Sequence, residues 1–369
     1  MKLVCSKANL LNGVQTVSKA VPSKTTMSIL ECILVDATNG EIKLTANDME
    51  LGIETTIEGQ IVEKGIIALD AKMFLEIVRK LPDSDITIET DASFKVVITC
   101  EKAKFTIIGK SGEDFSYLPA VEKDDSIVMS QFTLKEVVRQ TIFSISDNDN
   151  NKLMTGELFD INGEEFKIVS LDGHRISIRK IQLKNSYSPK KVVVPGKTLN
   201  EVSKILPGDA DSDVTISFTE KHIVFEFDKT VVVSRLIEGE YFKIGQMLSS
   251  DYETKVRVNK KEFLSCIDRA TLLVKEGDKK PIIVNITDSG MELKINSALG
   301  SMNEEIDIQK QGKDLMIGFN PKFLIDALRV IDDEEVDLYM VNPKAPCFIK
   351  NAEESYIYLI LPVNFTTVA

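Results

Sequence analysis

Apolar residues recur at two spacings along this chain. In six stretches they recur every three or four residues, which is typical of amphipathic α-helices that pack by one face. The six predicted helices span residues 7–20, 72–81, 133–144, 197–206, 260–275 and 321–330. Elsewhere apolar and polar residues alternate, which predicts β-strands with one buried face; examples are residues 85–89, 213–218 and 335–339.

These elements recur three times in the same order, at an interval of about 125 residues. Each third opens with an amphipathic helix. A turn with glycine then leads into an alternating strand, at Asn39-Gly40, Asn162-Gly163 and Ser289-Gly290. A short helix then ends near Leu81, Leu206 and Ile331. The sequence therefore predicts an α+β protein of three repeated domains, each with two helices packed on antiparallel sheets.

Polar residues interrupt the pattern twice, near Pro119 to Asp125 and near Ser249 to Thr254. Such interruptions are typical of domain boundaries. We therefore predict an N-terminal domain at residues 1–122, a central domain at 123–250 and a C-terminal domain at 251–369.

The composition is that of a folded globular protein, with 369 residues, 43% apolar and 28% charged. No apolar run reaches the roughly 18 residues of a membrane span, and Met1-Lys2-Leu3-Val4 does not open a signal peptide. We therefore expect a cytoplasmic protein with no membrane partner. The five cysteines are scattered and odd in number, which predicts buried thiols and no zinc or other metal site. No Gly-x-Gly-x-x-Gly or Walker sequence occurs, so we expect no cofactor.

Charge is unevenly distributed. The net charge is −12, yet the six predicted helices contain 15 Lys and Arg against 6 Asp and Glu. Helix propensity alone does not explain this excess, because Glu is as good a helix former as Lys and Arg. If the helices share one face, that face is positive and suits contact with phosphates. Trp is absent and no recognition helix is evident, so we predict sequence-independent contact.

Two stretches resemble calcium-binding loops but lack residues that such loops require. Residues 147–151 begin like a calcium loop, but Lys152 and Leu158 occupy the positions of the required Gly and Glu. Residues 209–213 place Glu220 correctly but have Val214 for the glycine, so an acidic turn is the better interpretation.

Asp172-Gly173-His174-Arg175 could suggest a catalytic histidine. No Ser or Cys nucleophile lies near His174 in the sequence, and the equivalent stretches 48–50 and 299–301 contain no histidine. Two interpretations stay open, a structural turn and a surface site that only the central domain has. We predict that the chain is not an enzyme; replacement of His174 with no loss of any turnover would exclude the rival hypothesis, a hydrolase that uses His174.

A set of motifs spread over the whole chain resembles the bacterial sliding clamps, the beta subunits of DNA polymerase III. The motifs are Ser28-Ile29-Leu30-Glu31, Thr45-Ala46-Asn47-Asp48-Met49-Glu50, Gly112-Glu113-Asp114-Phe115, Asp172-Gly173-His174-Arg175, Gly318-Phe319-Asn320 and Leu361-Pro362-Val363. The resemblance implies a homodimer that closes as a six-domain ring around double-stranded DNA. It implies a non-catalytic processivity factor that tethers the polymerase III catalytic subunit, is opened by a clamp loader, and binds other polymerases and repair proteins through short peptide motifs.

The resemblance also implies three sets of functional residues. The expected DNA contacts are Lys24, Lys72, Arg79 and Lys197. The expected pocket for partner peptides, between the central and C-terminal domains, is lined by Met154, Leu171, Gly173, His174, Arg175, Ile176, Met247, Phe323, Leu361, Pro362 and Val363. The expected dimer interface pairs an edge strand containing Phe105, Ile107 and Ile108 with Leu272 and Leu273 of a second chain.

The chain departs from the family pattern at two places. Residues 240–244 lack the Pro-Asp pair common in the family, and Asn364 stands where a basic residue is frequent. Both lie near the expected pocket, so its peptide preference stays open. A peptide-binding scaffold that does not encircle DNA is the alternative function, although it leaves the positive helices unexplained.

Overall fold

The computed structural model describes residues 1–119, 125–148, 150–248, 251–275 and 280–365. The chain divides into two compact units. The first unit consists of Met1–Leu134 and Lys197–Leu236, and the second consists of Lys135–Gly196 and Ile237–Ala369.

The described residues contain six α-helices: α1 Lys7–Val17, α2 Ala71–Lys80, α3 Gln131–Arg139, α4 Gly196–Ile205, α5 Lys260–Thr271 and α6 Pro321–Val330. The strands of the first unit are β1 Lys2–Ser6, β2 Cys32–Asp36, β3 Ile42–Asn47, β4 Leu51–Ile57, β5 Gln60–Glu63, β6 Ile66–Asp70, β7 Asp85–Thr90, β8 Lys95–Cys100, β9 Ala103–Ile108, β10 Lys110–Ser111, β11 Ser126–Ser130, β14 Asp213–Phe218, β15 His222–Phe227 and β16 Thr230–Arg235. Those of the second unit are β12 Gly156–Leu171, β13 Arg175–Pro195, β17 Thr254–Asn259, β18 Ile282–Thr287, β19 Gly290–Ser297, β20 Gly300–Ile306, β21 Ile308–Gly312, β22 Leu315–Phe319, β23 Glu335–Met340, β24 Cys347–Lys350 and β25 Tyr356–Ile360.

The first unit contains two antiparallel sheets. One has the order β5-β1-β7-β8-β9, and the other has the order β10-β6-β2-β3-β4-β16-β15-β14-β11. In the larger sheet β4 pairs with β16, with Ile53 opposite Val232. This pairing joins strands of the predicted N-terminal and central domains in one continuous sheet.

The second unit is built in the same way. Its larger antiparallel sheet has the order β12-β13-β25-β24-β23-β17-β21, and its smaller one has the order β20-β19-β18-β22. Here β13 pairs with β25, with Ile178 opposite Ile357. The predicted central domain therefore supplies strands to a sheet of each unit. The predicted boundaries after residues 122 and 250 lie outside the described residues and stay a prediction.

The helices begin where the sequence provides a capping side chain. The side chains of Ser6, Asp70, Asn259 and Asn320 each accept a backbone N–H from the first turn of α1, α2, α5 or α6. In α2, Phe74 and Val78 are fully buried, while Lys72 and Arg79 on the opposite face are exposed. Packing of the apolar face thus leaves the basic face of the helix open to solvent.

All six predicted helices are confirmed, but three end at least three residues earlier than predicted. The helix predicted at 7–20 ends at Val17, and a 3₁₀ helix, Ser18–Ala20, follows. The helix predicted at 133–144 ends at Arg139, and a 3₁₀ helix, Ile142–Ser144, follows. Thr141 lies between these two helices, and its hydroxyl donates to the carbonyl of Val137 at 2.8 Å. Such a bond from a side chain to the backbone disfavours continuation of a regular α-helix. The helix predicted at 260–275 ends at Thr271.

One of the three predicted hairpin turns is wrong. Asn162-Gly163 lies inside the long strand β12, where the register with β13 shifts on both sides of Gly163. Gly163 has the expected positive φ, +63°, but β13 continues to pair with β12 on both sides of it. The positive φ therefore produces an irregularity in the pairing of the two strands instead of a hairpin turn. Among the described residues, no helix is long and apolar enough to span a membrane.

Candidate functional site

The sequence Asp172-Gly173-His174-Arg175 forms the turn that connects β12 and β13. Gly173 has φ +88°, a left-handed conformation that residues with a side chain rarely adopt. The Asp172 Oδ1 atom accepts the backbone N–H groups of His174 at 2.9 Å and Arg175 at 3.1 Å. The glycine and the carboxylate together fix this turn and leave the His174 side chain exposed.

The Arg175 side chain is buried beneath the turn, with only 7% of its surface exposed. Its Nε donates to Asp172 Oδ2 at 3.0 Å, its Nη1 donates to Asp326 Oδ2 at 2.7 Å, and its Nη2 donates to the carbonyl of Phe143. A buried guanidinium requires such pairing, because an unpaired charge is costly away from water. Arg175 therefore ties the turn to Asp326 and to the Phe143 carbonyl.

Aromatic rings complete the surroundings of this arginine. Its Cζ lies 4.5 Å from the ring centroid of Phe323 on α6 and 5.4 Å from that of Phe143. The His174 ring is stacked on Phe323, with 6.2 Å between the centroids and an angle of 22° between the planes. His174, Arg175 and Phe323, predicted from separate parts of the sequence, thus form one group.

The C-terminal segment Leu361-Pro362-Val363 lies against the same turn. The Leu361 N–H donates to the carbonyl of His174 at 2.9 Å, and the Val363 N–H donates to the carbonyl of Gly318 in β22 at 2.8 Å. A Cβ at Gly318 would lie 2.7 Å from the Val363 carbonyl oxygen and 2.6 Å from the Phe365 ring. Only glycine therefore allows the segment to approach β22 this closely.

The apolar part of the predicted pocket is continuous with a buried cluster. Leu171 and Ile176 face each other across β12 and β13 and are 5% and 6% exposed. Their cluster also contains Tyr241 and Ile244, and Met154 packs against it. Met247, in contrast, is 53% exposed and is not among the described residues that form this cluster.

This arrangement suits binding better than catalysis. The site offers apolar surface from Leu361 and Phe323 beside an exposed imidazole, His174. The nearby charges of Asp172, Arg175 and Asp326 are engaged with one another. A shallow apolar surface with a few polar groups is what a peptide with apolar anchors requires.

Sequence reasoning missed three residues that build this site: Phe143, Asp326 and Tyr241. Asp326 follows Phe323 by three positions on α6, so helical spacing places both residues on one side of that helix. This spacing could have suggested a role for Asp326. No sequence signal pointed to the Phe143 carbonyl, because its use depends on the end of α3 at Arg139.

The predicted DNA contacts all lie in the first unit and are exposed: Lys24 after α1, Lys72 and Arg79 on α2, and Lys197 on α4. Arg79 pairs with Glu76, and Lys197 pairs with Asp48. Within the described part of the chain, no ion pair involves Lys24 or Lys72.

Helices α1, α2 and α4 of the first unit also line an open polar cavity of about 360 Å³. Its charged and amide-bearing lining residues are Asn12, Gln15, Lys19, Arg79 and Lys204. These three cations and two amides are donors that suit phosphate oxygens, but Arg79 pairs with Glu76 and Lys204 pairs with Glu201.

The predicted dimer residues Phe105, Ile107 and Ile108 lie on β9, which ends the order of the described five-stranded sheet. Ile108 is 73% exposed and Phe105 is 38% exposed. In the second unit Leu272 is 79% exposed, whereas Leu273 packs partly against the core of that unit.

A buried acid lies elsewhere in the second unit. Glu157 on β12 is 0% exposed, and neither carboxyl oxygen has a hydrogen-bond partner among the described residues. Burial raises the pKa of Glu157 to about 8, an effect that the nearby Thr141 hydroxyl offsets only in part. Glu157 is therefore mostly protonated at neutral pH.

Comparison with known proteins agrees with the repeat. Three family models match consecutive parts of the chain: the N-terminal domain of the DNA polymerase III beta subunit at residues 1–119, the central domain at 128–243 and the C-terminal domain at 246–364. The prediction of three repeated α+β clamp domains is thereby confirmed.

Full-length relatives give the same result. A beta sliding clamp from Staphylococcus epidermidis is 32% identical over 99% of both chains. A crystal structure from Eubacterium rectale ATCC 33656, assigned to the DNA polymerase III beta subunits, is 77% identical with a TM-score of 0.96, and the DNA polymerase sliding clamp of Bacillus subtilis is 32% identical with a TM-score of 0.95. Each alignment to these structures covers 99% of this chain and 100% of the other.

Three domain models and full-length homology define a sliding clamp of the bacterial type. The chain belongs to the DNA polymerase III beta-subunit family, the beta sliding clamps. Its function is that of a processivity factor of DNA polymerase III, and it is a non-catalytic subunit.

Proposed function

We propose that two copies of this chain close into a six-domain ring around duplex DNA and hold DNA polymerase III on its template. The observation that carries this proposal is the excess of Lys and Arg on the helices of a chain whose net charge is −12. A ring that cannot leave the DNA keeps the polymerase at a high effective concentration near the primer end, so that rebinding outpaces escape.

The proposed DNA contacts are electrostatic and independent of sequence. Lys72, Arg79 and Lys197 supply positive charge on exposed helical surface of the first unit, and Lys24 adds to it from the segment after α1. Lys19 and Lys204 extend it around the polar cavity. Contacts of this kind track phosphates without reading bases, which permits sliding. Because Asp48 and Glu76 compete for Lys197 and Arg79, we expect Lys24 and Lys72 to contribute most.

The proposed dimer uses the exposed edge of β9. An unpaired apolar edge strand invites pairing with another chain, and Ile108 is too exposed to be accounted for by packing within its own unit. Leu272 of the second unit, 79% exposed, would contribute apolar surface to the partner chain. A closed homodimer with two such interfaces removes both edges from solvent.

The proposed peptide site is the surface of His174, Phe323 and Leu361 beside the cluster of Leu171 and Ile176. Its occupants would be short segments of the polymerase III catalytic subunit, the clamp loader, and other polymerases and repair proteins. Apolar anchors of such a segment would pack on the accessible surface of Phe323 and Leu361, and the exposed His174 imidazole would offer a polar contact.

We expect the protein to act in the bacterial cytoplasm, where the chromosome is replicated. Its cysteines fit that reducing compartment: Cys5, Cys32, Cys100, Cys266 and Cys347 are buried and free. Burial also raises the pKa of Cys5, Cys266 and Cys347 to about 12, which keeps these thiols protonated and unreactive.

Negative-stain electron microscopy of the purified protein with two-dimensional averaging tests the ring. We expect rings of six similar lobes around a central hole. Solid particles or crescents that persist at high protein concentration would overturn the ring and favour the alternative, a peptide-binding scaffold that does not encircle DNA.

A further inference from the structure

We propose that Asp326 is a positioning residue of the peptide site: through Arg175 it holds the His174 turn and the Phe323 ring in the arrangement that receives a partner. The inference rests on the proposed peptide site. It adds a residue that does not line the proposed site and that acts only through the buried arginine.

The first step of the argument is the bond between Asp326 and Arg175. Asp326 Oδ2 accepts from Arg175 Nη1 at 2.7 Å, and the two side chains are 19% and 7% exposed. Little water can reach this pair, so it is screened far less than a surface ion pair. Without the Asp326 carboxylate, Nη1 would lose its described partner in a place where water cannot replace it fully.

The second step is that Asp326 and Phe323 share one side of α6. They are three residues apart, so a shift of one moves the other. Phe323 lies beneath both the Arg175 guanidinium, at 4.5 Å, and the His174 ring, at 6.2 Å. The Asp326 bond therefore fixes α6 against the turn at the place where the aromatic surface of the site is formed.

The third step is that the turn is hydrogen-bonded to Leu361, the C-terminal residue of the site surface. The His174 carbonyl accepts the Leu361 N–H at 2.9 Å, so a displaced turn displaces Leu361 as well. Asp172 holds the turn internally, through its own bonds to His174 and Arg175. Asp326 is the carboxylate that links this internally held turn to a different element.

The test replaces Asp326 and reads the site through its histidine. The chain has two histidines, His174 in the site and His222 in the first unit, so the ring signals of His222 are an internal control in NMR spectra. In Asp326→Ala we expect the ring signals of His174 to shift, because its stacking on Phe323 is loosened, while those of His222 stay in place. Asp326→Asn keeps the side-chain shape and one acceptor, and it should give a smaller shift in the same direction.

Binding of a fluorescein-labelled hexapeptide with two leucines and one phenylalanine as apolar anchors gives the functional readout. We expect Asp326→Ala to weaken binding about tenfold, because the loosened turn and ring must be ordered again when the peptide binds, and Asp326→Asn to recover part of the affinity. The matched control is Asp268→Ala on α5, which removes a carboxylate 3.1 Å from Arg329 of α6, at a surface where both side chains are more than half exposed.

The outcomes separate this proposal from the proposed function. If wild-type protein does not bind the peptide, while His174 shifts as expected, the peptide site is wrong and the positioning role of Asp326 stands. If peptide binds and Asp326→Ala changes neither the His174 signals nor the affinity, the positioning role is wrong. Should Asp326→Ala fail to fold, Asp326→Asn carries the same test, and equal effects of Asp268→Ala would also overturn the proposal.

Discussion

The turn at Asp48 in the first unit and the turn at Asp172 in the second unit have the same backbone design. Asp48 Oδ1 accepts the N–H groups of Glu50 and Leu51, as Asp172 Oδ1 accepts those of His174 and Arg175. The residue after each aspartate has positive φ, +75° at Met49 and +88° at Gly173.

The side chains on the two turns differ completely in what they do. The fourth residue of the first turn is Leu51, which is buried in the sheet, and the Asp48 carboxylate pairs with Lys197. The fourth residue of the second turn is Arg175, which pairs with the Asp172 carboxylate and also contacts Asp326 and Phe323. The turn therefore belongs to the repeat, whereas the site comes from one buried arginine and its partners.

Among the variants that test this difference between the two turns, Arg175→Met should lower stability most. It keeps the bulk of the side chain and removes its charge. Asp172 and Asp326 would then be left without their counterion in a mostly buried place. We expect the second unit to lose about 3–5 kcal/mol of unfolding free energy. Urea unfolding monitored by hydrogen–deuterium exchange and mass spectrometry measures the stability of each unit separately.

Lys197→Met is the matched control, because it removes the cation that pairs with the corresponding aspartate, Asp48. The Lys197 side chain is 59% exposed and the Asp48 side chain 6%, so this variant leaves one mostly buried carboxylate without its cation, whereas Arg175→Met leaves two. Asp48 Oδ1 keeps its two backbone N–H bonds, and we expect a smaller loss than in Arg175→Met, about 1–2 kcal/mol and confined to the first unit. Equal losses in the two variants would contradict the distinction between the two turns.

A second comparison concerns strands β2 and β12. At the interval that separates Asp48 from Asp172, Ile33 on β2 corresponds to Glu157 on β12, and both are 0% exposed. Because the folded pKa of Glu157 is about 8 and the ordinary value is 4.5, the folded chain keeps a proton that the unfolded chain releases between these values. Stability should therefore fall as pH rises through this window, by about 1.4 kcal/mol per pH unit.

Glu157→Gln removes this titration while keeping the shape of the side chain. Between pH 5.5 and 7.5 the difference in unfolding free energy between wild type and Glu157→Gln should change by about 3 kcal/mol, in favour of the wild type at the lower pH. Urea titrations at both pH values measure it. A difference independent of pH would mean that Glu157 is ionised in the folded chain.

The two edges of the five-stranded sheet sharpen the comparison further. The edge strand β5 is short and ends in Glu63, whereas the opposite edge strand β9 exposes Ile108. We expect Ile108→Lys to convert dimer to monomer in analytical ultracentrifugation while changing the stability of the monomer by less than about 0.5 kcal/mol. Lys104→Ala on the same strand is the control and should leave the dimer intact. An unchanged dimer in Ile108→Lys would exclude β9 from the interface.

The smallest expected effects are changes in the salt dependence of DNA binding, and they should differ among the basic residues of the first unit. Lys24→Ala and Lys72→Ala should each lower the slope of log affinity for duplex DNA against log salt concentration by about 0.9, one phosphate contact apiece. Lys197→Ala should lower it less, because Asp48 already pairs with Lys197. Lys64→Ala, an exposed lysine in the loop between β5 and β6, serves as control. Similar slopes for all four variants would contradict a basic helical face.

Much of the fold could be predicted because its cause is local. Helix α2 was predicted at 72–81 and lies at Ala71–Lys80, since four buried residues at helical spacing and the cap at Asp70 determine it. The repeat was visible for the same reason. The ends of α3 and the turn at Gly163 were predicted wrongly, because the Thr141 back-bond and the pairing of β12 with β13 are not visible in spacing.

The site was predicted only in part. The residues His174, Arg175 and Leu361 were predicted from family motifs and Phe323 as a nearby apolar position, and the structure brings them together. Asp326 was missed because its partner Arg175 lies 151 residues away in sequence, and no periodicity connects them. Met247 was named, yet it lies outside the apolar cluster that Leu171 and Ile176 share.

Retention on DNA of different topology tests the central claim most directly. The protein is loaded onto nicked circular DNA with a bacterial clamp loader, washed in high salt to remove electrostatic binding, and then exposed to a restriction enzyme that linearises the circle. Encirclement predicts that the protein stays on the circle through the wash and leaves once the DNA has free ends. Equal release from circular and linear DNA would contradict encirclement and leave a scaffold that binds DNA only at its surface.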